Sequence, residues 1–429
     1  MVTSERTVIR QAALALLLIF ATTFAALAQQ TGPVSQPPGQ APVGRKSDLQ
    51  SKLAKQPITF FLARGREHSC GPGCSEWIAA DGQFDEGSAA RFRAFLARTK
   101  VTNLPVFFNS NGGLQEEAMA IGRVMRERRM RAGIALTRPQ ICAPEPDARA
   151  VCETARKSGK PLMSEWTSFD ATCNSACGFA VIGAAERWVP PGATIGIHSP
   201  AYYCFLRSGR IVAPMGDSAL ATQCRKFVKQ GAAHLAAYTR EMGIDPGFIA
   251  AMEQVPHTEA RYLSREELHA FGIDRSDIAQ TPWMGRPGAA AVTLKVLLEA
   301  TGADGGKRMG WLELQCNESG SSAIVFVRPA VGGDEGEGTE VALVAGARSF
   351  VFPRDVSTYS NPAEPEAPYL RRRLAVPTPE IAALATEPAM DLRITLTAGG
   401  PDAKTQVTRI SNAGLPQRWT SVEENCGKR

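Results

Sequence analysis

Short apolar runs alternate with helix-spaced apolar residues along the first part of the chain. Residues 58–62 and 105–108 are dense in aromatic and branched side chains, and runs of this length are typical of buried strands. After the second run, apolar residues recur at helical spacing, at Ala118, Ile121, Val124 and Met125. This alternation of strands and helices favours an α/β layer architecture over a β-sandwich.

The pattern changes after a segment rich in Pro and Gly at 281–290, which we interpret as a linker. Beyond it, short apolar runs separated by Gly and Pro predict strands. These runs lie at 311–315, 323–327, 341–344, 349–352 and 392–396. The sequence therefore predicts an α/β domain over 57–280, followed by a smaller, mainly antiparallel β domain over 291–429.

The N-terminus has the features of a secretory signal. Arg6 and Arg10 precede an apolar stretch at 12–26, and Ala26 and Ala28 fit the small-residue pattern before a cleavage site. We therefore predict a signal peptide over 1–28. Residues 29–56 are rich in Pro, Gln, Gly and Lys, which predicts a disordered tether.

The chain contains ten cysteines, an even number that permits complete pairing. Disulfides persist in oxidising compartments, so an exported, periplasmic protein is expected. The spacing suggests local staples, but connectivity stays open at this stage. The suggested local pairs are Cys70 with Cys74, Cys142 with Cys152, and Cys204 with Cys224, while Cys316 and Cys426 would tie the two ends of the β domain. A zinc site is a weaker interpretation, because the Cys-x3-Cys spacings lack a histidine at ligand distance.

Charge excludes one class of partner. The net charge of +6 is modest for 429 residues, and the basic cluster around Arg126 lies near the end of a predicted helix. Aromatic residues are not interleaved with these basic residues, so nucleic-acid binding is not expected. No sequence pattern points to a metal ion or an organic cofactor.

Two reactive groups define the candidate chemistry. Ser175 lies among small residues at 173–177, and His198 ends the apolar run at 194–197. A serine hydroxyl becomes a good nucleophile when a base accepts its proton, and imidazole suits that task. The residues between them suffice for a helix, a turn at 190–192 and a returning strand. The pair predicts acyl transfer.

Four blocks of the chain resemble, in order, the Clp protease proteolytic subunit and its crotonase-like superfamily. The blocks lie at 109–113 (Asn-Ser-Asn-Gly-Gly), 174–176 (Asn-Ser-Ala), 195–200 (Ile-Gly-Ile-His-Ser-Pro) and 261–274. The resemblance covers about half of the chain, and it implies a crotonase-like core of ββα units. It also implies that Ser175 is the nucleophile and His198 the general base. The backbone N–H groups of Gly112 and Ala176 would form the oxyanion hole.

One member of the family's site is missing. The family has an aspartate before the Arg-aromatic-Leu-Ser block, and this chain has Ala260 there. Glu259 is adjacent, so we predict that it orients the imidazole, with His257 and Asp274 as alternatives. A Ser–Lys dyad with Lys226 or Lys229 is a further alternative, although a surface role is expected for both.

These features predict an exported, ATP-independent serine peptidase, or related acyl hydrolase, that acts on peptides or unfolded envelope proteins. The family's usual partner is an ATP-driven unfoldase, which is not expected where there is no ATP. A homo-oligomer stays open, but a heptameric ring is not expected because an insertion at 199–226 replaces the ring-forming helix. The alternative function is a catalytically inactive module that binds peptides or proteins in the same groove.

Overall fold

The structure is a computed structural model, which describes most of the chain from residue 56 onward. The described residues are 56–142, 148–200, 204–205, 211–212, 219–276, 279–286, 289–301, 306–317, 321–329, 339–354, 356–360, 368–396 and 405–426. The predicted signal peptide and all but the last residue of the predicted tether lie outside these ranges, as does much of the predicted insertion.

The chain up to residue 276 alternates strands and helices. Its strands are β1 (Thr59–Arg64), β2 (Glu76–Asp81), β3 (Val106–Asn109), β4 (Arg131–Ile134), β5 (Leu136–Pro139), β6 (Leu162–Thr167), β7 (Thr172–Asn174), β8 (Glu186–Trp188), β9 (Thr194–Ile197), β10 (Cys204–Phe205), β11 (Ile211–Val212) and β12 (Arg261–Tyr262). Its helices are α1 (Ser88–Thr99), α2 (Gln115–Glu127), α3 (Ala148–Lys157), α4 (Ala176–Gly183), α5 (Ala219–Glu241), α6 (Gly247–Glu253) and α7 (Arg265–Ala270).

The rest of the described chain is mainly β. Its strands are β13 (Met284–Arg286), β14 (Ala289–Thr301), β15 (Gly306–Cys316), β16 (Ser321–Pro329), β17 (Thr339–Ala345), β18 (Arg348–Val351), β19 (Ser357–Ser360), β20 (Pro368–Pro377), β21 (Ala389–Leu396) and β22 (Thr405–Ser411). Two helices accompany them, α8 (Thr378–Thr386) and α9 (Leu415–Glu424).

A seven-stranded sheet organises the first part, in the order β5-β6-β1-β2-β3-β4-β8. Strands β2, β3, β4 and β8 are parallel neighbours, whereas β1 and β2 are antiparallel. Strands β12, β9 and β7 form a separate three-stranded sheet, which carries the candidate site. The prediction of a mixed α/β class is confirmed.

The seven-stranded sheet is buried on both faces. In β1, Phe60 and Leu62 pack with the helices, whereas Phe61 and Ala63 point to the opposite face and contact residues of the later strands. Successive strand residues face opposite sides, so a sheet that is covered twice needs apolar side chains at every position. This is why the run at 58–62 is apolar apart from Thr59, which is only half-buried.

Two antiparallel sheets follow, with strand orders β13-β14-β15-β16-β20-β19 and β18-β17-β21-β22. In β15, Trp311 faces the seven-stranded sheet, while Leu312 faces a second core shared with β17 and β21. Every strand predicted from the apolar runs overlaps a strand of the structure, but most of the observed strands begin earlier, and β15 begins at Gly306 rather than at 311. The sequence interpretation missed β14 and β20, because β14 is rich in alanine and three consecutive arginines interrupt β20.

The sequence of segment 142–168 shows no clear strand or helix pattern and predicts an irregular connection, and this prediction is wrong. It contains α3 and β6. Helix α3 is short and has no broad apolar stripe, since Val151 is half exposed, so periodicity gave no signal. Instead the Arg156 guanidinium of this helix stacks on the Phe61 ring, 4.7 Å from its centroid, and forms an ion pair with Asp81.

Four disulfides are present among the described residues. They join Cys70 to Cys74, Cys142 to Cys152, Cys173 to Cys177, and Cys316 to Cys426. Two of these pairs were suggested by local spacing and Cys316–Cys426 as a tie between the ends of the β domain, whereas Cys173–Cys177 was not suggested. Cys224 is also disulfide-bonded. Its suggested partner, Cys204, has a side chain outside the described residues.

Candidate active site

Three segments that were singled out from the sequence meet at one edge of the small sheet. Strands β7 and β9 are parallel, with Asn174 level with Gly196, so Ser175 and His198 both follow the carboxyl ends of adjacent strands. Residue Ser110, which follows β3, pairs with β7 through hydrogen bonds to Thr172 and Asn174. The structure therefore brings the turn 109–113 to the serine, as parallel pairing at a common edge requires.

Ser175 occupies an unusual backbone conformation at the junction between β7 and α4. Its φ is 54° and its ψ is −122°, which few residues other than glycine adopt. Such an outlier costs about 1–3 kcal/mol and is a common feature of functional sites. Ser175 is also the single residue between 171 and 184 that is not buried. The fold thus presents one hydroxyl on an otherwise buried strand–turn–helix unit.

The surroundings hold this turn in place. The Cys173–Cys177 disulfide closes a loop around Ser175, with the two Cα atoms 5.2 Å apart, and both cysteines are fully buried. The Ser175 N–H donates to the Gly196 carbonyl at 2.7 Å. Every residue of α4 is buried. Contacts on both sides of Ser175 therefore offset the cost of its backbone conformation.

Gly112 approaches the serine more closely than any other residue type could. Its φ is 99°, and a Cβ atom at this position would lie 2.7 Å from the Asn174 carbonyl oxygen and 2.8 Å from Ser175 Cβ. Gly113 is equally constrained, because a Cβ there would lie 2.1 Å from the Phe84 carbonyl oxygen. Both glycines of the predicted turn are therefore required by close packing and by positive φ.

The two backbone donors predicted for an oxyanion hole lie beside Ser175. Ala176 is the first residue of α4, where N–H groups have no partner within the helix and favour negative charge. The Gly112 N–H donates to Ser110 Oγ at 3.1 Å. An oxyanion would have to replace this hydroxyl as the acceptor, so Ser110 is a residue that the sequence interpretation missed.

His198 has a defined orientation. Its Nδ1 lies 2.8 Å from the carbonyl oxygen of Ser199, and a carbonyl can only accept, so Nδ1 carries the proton. In the neutral ring Nε2 is then the unprotonated nitrogen, which is the arrangement that a general base requires. A backbone carbonyl thus performs one task of the acid in a catalytic triad, which is to fix the tautomer.

The pairing of β9 with β12 shows which residue lies where the family has its aspartate. Arg261 lies opposite Ile197 and Tyr262 opposite Gly196, and continuing this register by one residue places Ala260 opposite His198. Ala260 is buried, whereas Glu259 is exposed. Glu259 ends a turn before β12, in which its N–H donates to the Pro256 carbonyl at 3.0 Å, so the strand itself places an apolar residue next to the imidazole.

The other predicted candidates have different surroundings. Asp274 is buried, pairs with Arg265 at 2.8 Å and accepts hydrogen bonds from the Val189 and Ser276 N–H groups. His257 is exposed. Lys226 and Lys229 are exposed on α5, as the surface interpretation of both lysines expected.

A chain of polar groups supports the strand that leads to Ser175. The Thr172 N–H donates to Asn109 Oδ1 at 3.2 Å, and Asn109 Nδ2 donates to Asp81 Oδ1 at 3.2 Å. Burial raises the pKa of Asp81, while the nearby Arg156 charge opposes that effect. Asn174 Nδ2 donates to Asn111 at 3.2 Å. These contacts tie the turn 109–113 to β7 without using the Ser175 hydroxyl.

Two properties concern the described residues as a whole. They contain no group of three or more His, Cys, Asp or Glu side chains that could hold a metal ion. Among them, no helix is both long enough and apolar enough to cross a membrane.

Known proteins give limited similarity. No family model and no curated protein matches the sequence. A mutant of the membrane-bound stomatin-specific protease 1510-N matches with a TM-score of 0.27 and 14% identity, over 45% of this chain and 73% of that chain. ClpP1 from Listeria monocytogenes matches with a TM-score of 0.27 and 14% identity, over 56% of this chain and 98% of that chain.

Invasion associated protein b from Bartonella henselae matches with a TM-score of 0.24 and 14% identity, over 33% of this chain and 92% of that chain. All three TM-scores are too low for the similarity to carry an argument about fold or function. The interpretation of the site therefore depends on its own geometry.

Proposed function

We propose that this protein is a serine peptidase, or a related acyl hydrolase, with Ser175 as the nucleophile and His198 as the general base. The observation that carries the proposal is the backbone of Ser175, whose positive φ presents the only unburied side chain of a buried strand–helix junction. Strain of this kind is retained where a reactive side chain must be held in position.

The proposed reaction uses groups that lie around this junction. Ser175 Oγ attacks an acyl carbon while His198 Nε2 accepts its proton, and the bond between Nδ1–H and the Ser199 carbonyl holds the ring. The Gly112 and Ala176 N–H groups stabilise the developing oxyanion. The imidazolium then protonates the leaving group, and water hydrolyses the acyl-enzyme by the same steps.

The setting of this activity follows from the sequence and the disulfides. We propose that the mature protein acts after export, in an oxidising compartment such as the periplasm, on peptides or unfolded envelope proteins and without an ATPase. Four disulfides among the described residues agree with such a compartment. In this proposal the crotonase-like part, 57–280, performs catalysis, and the β-rich part, 291–429, is a separate domain.

A fluorophosphonate probe tests the proposal directly. The wild-type protein is expected to react covalently, and Ser175→Ala to lose the label, because the phosphorus is attacked by an activated serine only. Ser357→Ala removes an exposed serine on β19 and is the matched control. Intact-mass spectrometry measures the adduct. Equal labelling of wild type and Ser175→Ala would remove Ser175 from the mechanism.

A second function is favoured by one observation, the buried Ala260 that takes the place of the expected aspartate. In that case the same groove binds peptides or proteins without hydrolysing them. The two functions differ in the role of the hydroxyl. If the protein is a binding module, Ser175→Ala keeps full peptide capture and the wild type does not react with the probe.

The role of Glu259 remains a prediction that one substitution tests. Glu259 is exposed, and the register places its neighbour opposite His198, so Glu259→Gln is expected to change kcat/KM by less than about twofold. Glu253→Gln alters an exposed carboxylate on α6 and serves as the control. Hydrolysis of a fluorogenic peptide is the measurement. A loss of several orders of magnitude in Glu259→Gln alone would instead assign the orienting carboxylate to Glu259.

A further inference from the structure

A large cavity lies on the side of the molecule where the α/β part meets the six-stranded sheet. Its volume is about 970 Å³, and its lining includes Phe107, Trp188 and Lys295. Cavities of roughly 300–1,000 Å³ are typical of small-molecule sites. None of the residues proposed for catalysis lines it.

The cavity is rich in cations. Its lining contains Arg126, Arg131, Arg187, Arg275 and Lys295 but only two acidic residues, Glu186 and Glu241. One of these two is already engaged, because Glu241 pairs with Arg123 at 3.2 Å. The positive charges therefore exceed the negative charges available to neutralise them.

Part of this charge has a structural role. Arg126 donates to the carbonyl oxygens of Ile182 and Met242 at 3.3 Å, and Arg187 donates to the same two atoms at 2.9 and 3.1 Å. These carbonyls lie at the ends of α4 and α5, where cations are favourable. Burial, with the nearby Arg275 and Arg126 charges, lowers the pKa of Arg187 to about 10. Helix capping thus explains the arginines but brings like charges together.

Helix capping does not explain why Lys295 is buried in the lining of the cavity. Only 3% of it is exposed, and its Nζ donates to Gln280 Oε1 at 3.3 Å and lies 5.6 Å from the centroid of the Trp283 ring. No carboxylate of the described residues forms an ion pair with it. Burial lowers the pKa of Lys295 to about 7. A buried amine without a counter-charge loses its proton readily, and an anion beside it would restore the charged form.

Two hydrogen-bond donors of residues that line the cavity have no acceptor in the described part of the chain. Among the described residues, Trp188 Nε1 and Arg126 Nε are buried donors without a partner, and both residues line the cavity. Native structures leave few such donors, and an unfilled one often marks the place of a water, an ion or a ligand. The unpaired donors and the excess of cations favour a ligand with negative charge. The aromatic side chains of the lining favour a ligand with an aromatic or apolar body.

We propose that this cavity binds a small organic anion with an aromatic or apolar body, whose acidic group pairs with Lys295. The aromatic side chains would contact the body of the ligand, and the arginines would attract its charge. The site is distinct from Ser175 and does not depend on the proposed peptidase function.

Fluorescence titration of the full-length protein with 1-anilinonaphthalene-8-sulfonate tests the proposal. The wild type is expected to bind this aromatic sulfonate saturably, with one site, and Lys295→Met to weaken binding about 10- to 100-fold, the loss of one charge-assisted hydrogen bond. Arg393→Met removes an exposed cation of β21 and is expected to bind as the wild type does. N-phenyl-1-naphthylamine, the same skeleton without the sulfonate, should not distinguish wild type from Lys295→Met.

Equal affinity of the wild type and a folded Lys295→Met for the sulfonate would overturn the proposal, as would the absence of saturable binding. If Lys295→Met does not fold, Arg275→Met replaces it, because Arg275 also lines the cavity but is exposed. A loss of sulfonate affinity in Arg275→Met, with unchanged binding of the neutral compound, supports the anion site. Unchanged sulfonate affinity in that variant counts against it.

Discussion

Replacing His198 with alanine is expected to lower kcat/KM for peptide or ester hydrolysis by about 10⁴-fold or more, with little change in the free energy of unfolding. Without the imidazole, the Ser175 hydroxyl has no base to accept its proton, and losses of this size are typical when a Ser–His unit is broken. His198 is only half-buried, so its removal leaves no large cavity. Steady-state kinetics and thermal unfolding measure the two effects.

The control for this substitution is His234→Ala. His234 is exposed on α5, with its Nδ1 3.1 Å from Glu116, and this variant is expected to keep full activity. Retained activity in His198→Ala would show that the base lies elsewhere, and the exposed lysines of α5 would then become the next candidates. If neither variant nor the wild type hydrolyses any peptide or ester, the binding-module function gains support.

Gly112→Ala is expected to reduce activity by about 10²- to 10³-fold, the usual effect of losing one oxyanion-hole donor. The added Cβ would lie 2.7 Å from the Asn174 carbonyl oxygen and 2.8 Å from Ser175 Cβ, so the turn must move away from the serine. We expect a loss of stability of about 1–3 kcal/mol as well, since alanine does not favour the φ of 99°. Kinetics and denaturant unfolding distinguish the two effects.

Gly71→Ala separates backbone strain from crowding. Gly71 also has a positive φ, 127°, but nothing lies within 4 Å of the Cβ that alanine would add. This variant should lose some stability and keep its activity. If Gly112→Ala and Gly71→Ala are equally active, the close approach of Gly112 to Ser175 has no catalytic role.

The Ser199 carbonyl offers a physical account of how a site without the usual aspartate can work. It fixes the His198 tautomer through Nδ1, but it carries no full negative charge to stabilise the imidazolium. A carbonyl partner by itself supports a slower reaction than a complete triad does. The Gly112 N–H group already donates to Ser110 Oγ. An oxyanion must displace that hydroxyl, and this cost also slows the reaction.

Sequence patterns predicted a large part of the fold for a clear physical reason. A strand that is buried on both faces must be apolar at each position, so the runs at 58–62 and 105–108 were readable without any knowledge of their neighbours. Helix α3 was not predicted from the sequence. An ion pair and a stacked guanidinium hold it against the sheet, and it has no broad apolar stripe that would reveal it. Strand β14 carries Lys295 among its apolar residues, and no sequence pattern indicated that this lysine is buried.

The sequence by itself determined the mixed α/β class, the local disulfide staples and the choice of Ser175 and His198 as candidates. Each of these depends on residue type or on short-range spacing. Only the tertiary structure decided that Ala260 lies level with His198, that Ser199 supplies the partner of its ring, and that Lys295 lines a cationic cavity. Strand register and the covering of one face by another element arise from contacts between residues far apart in the chain, and local patterns do not encode them.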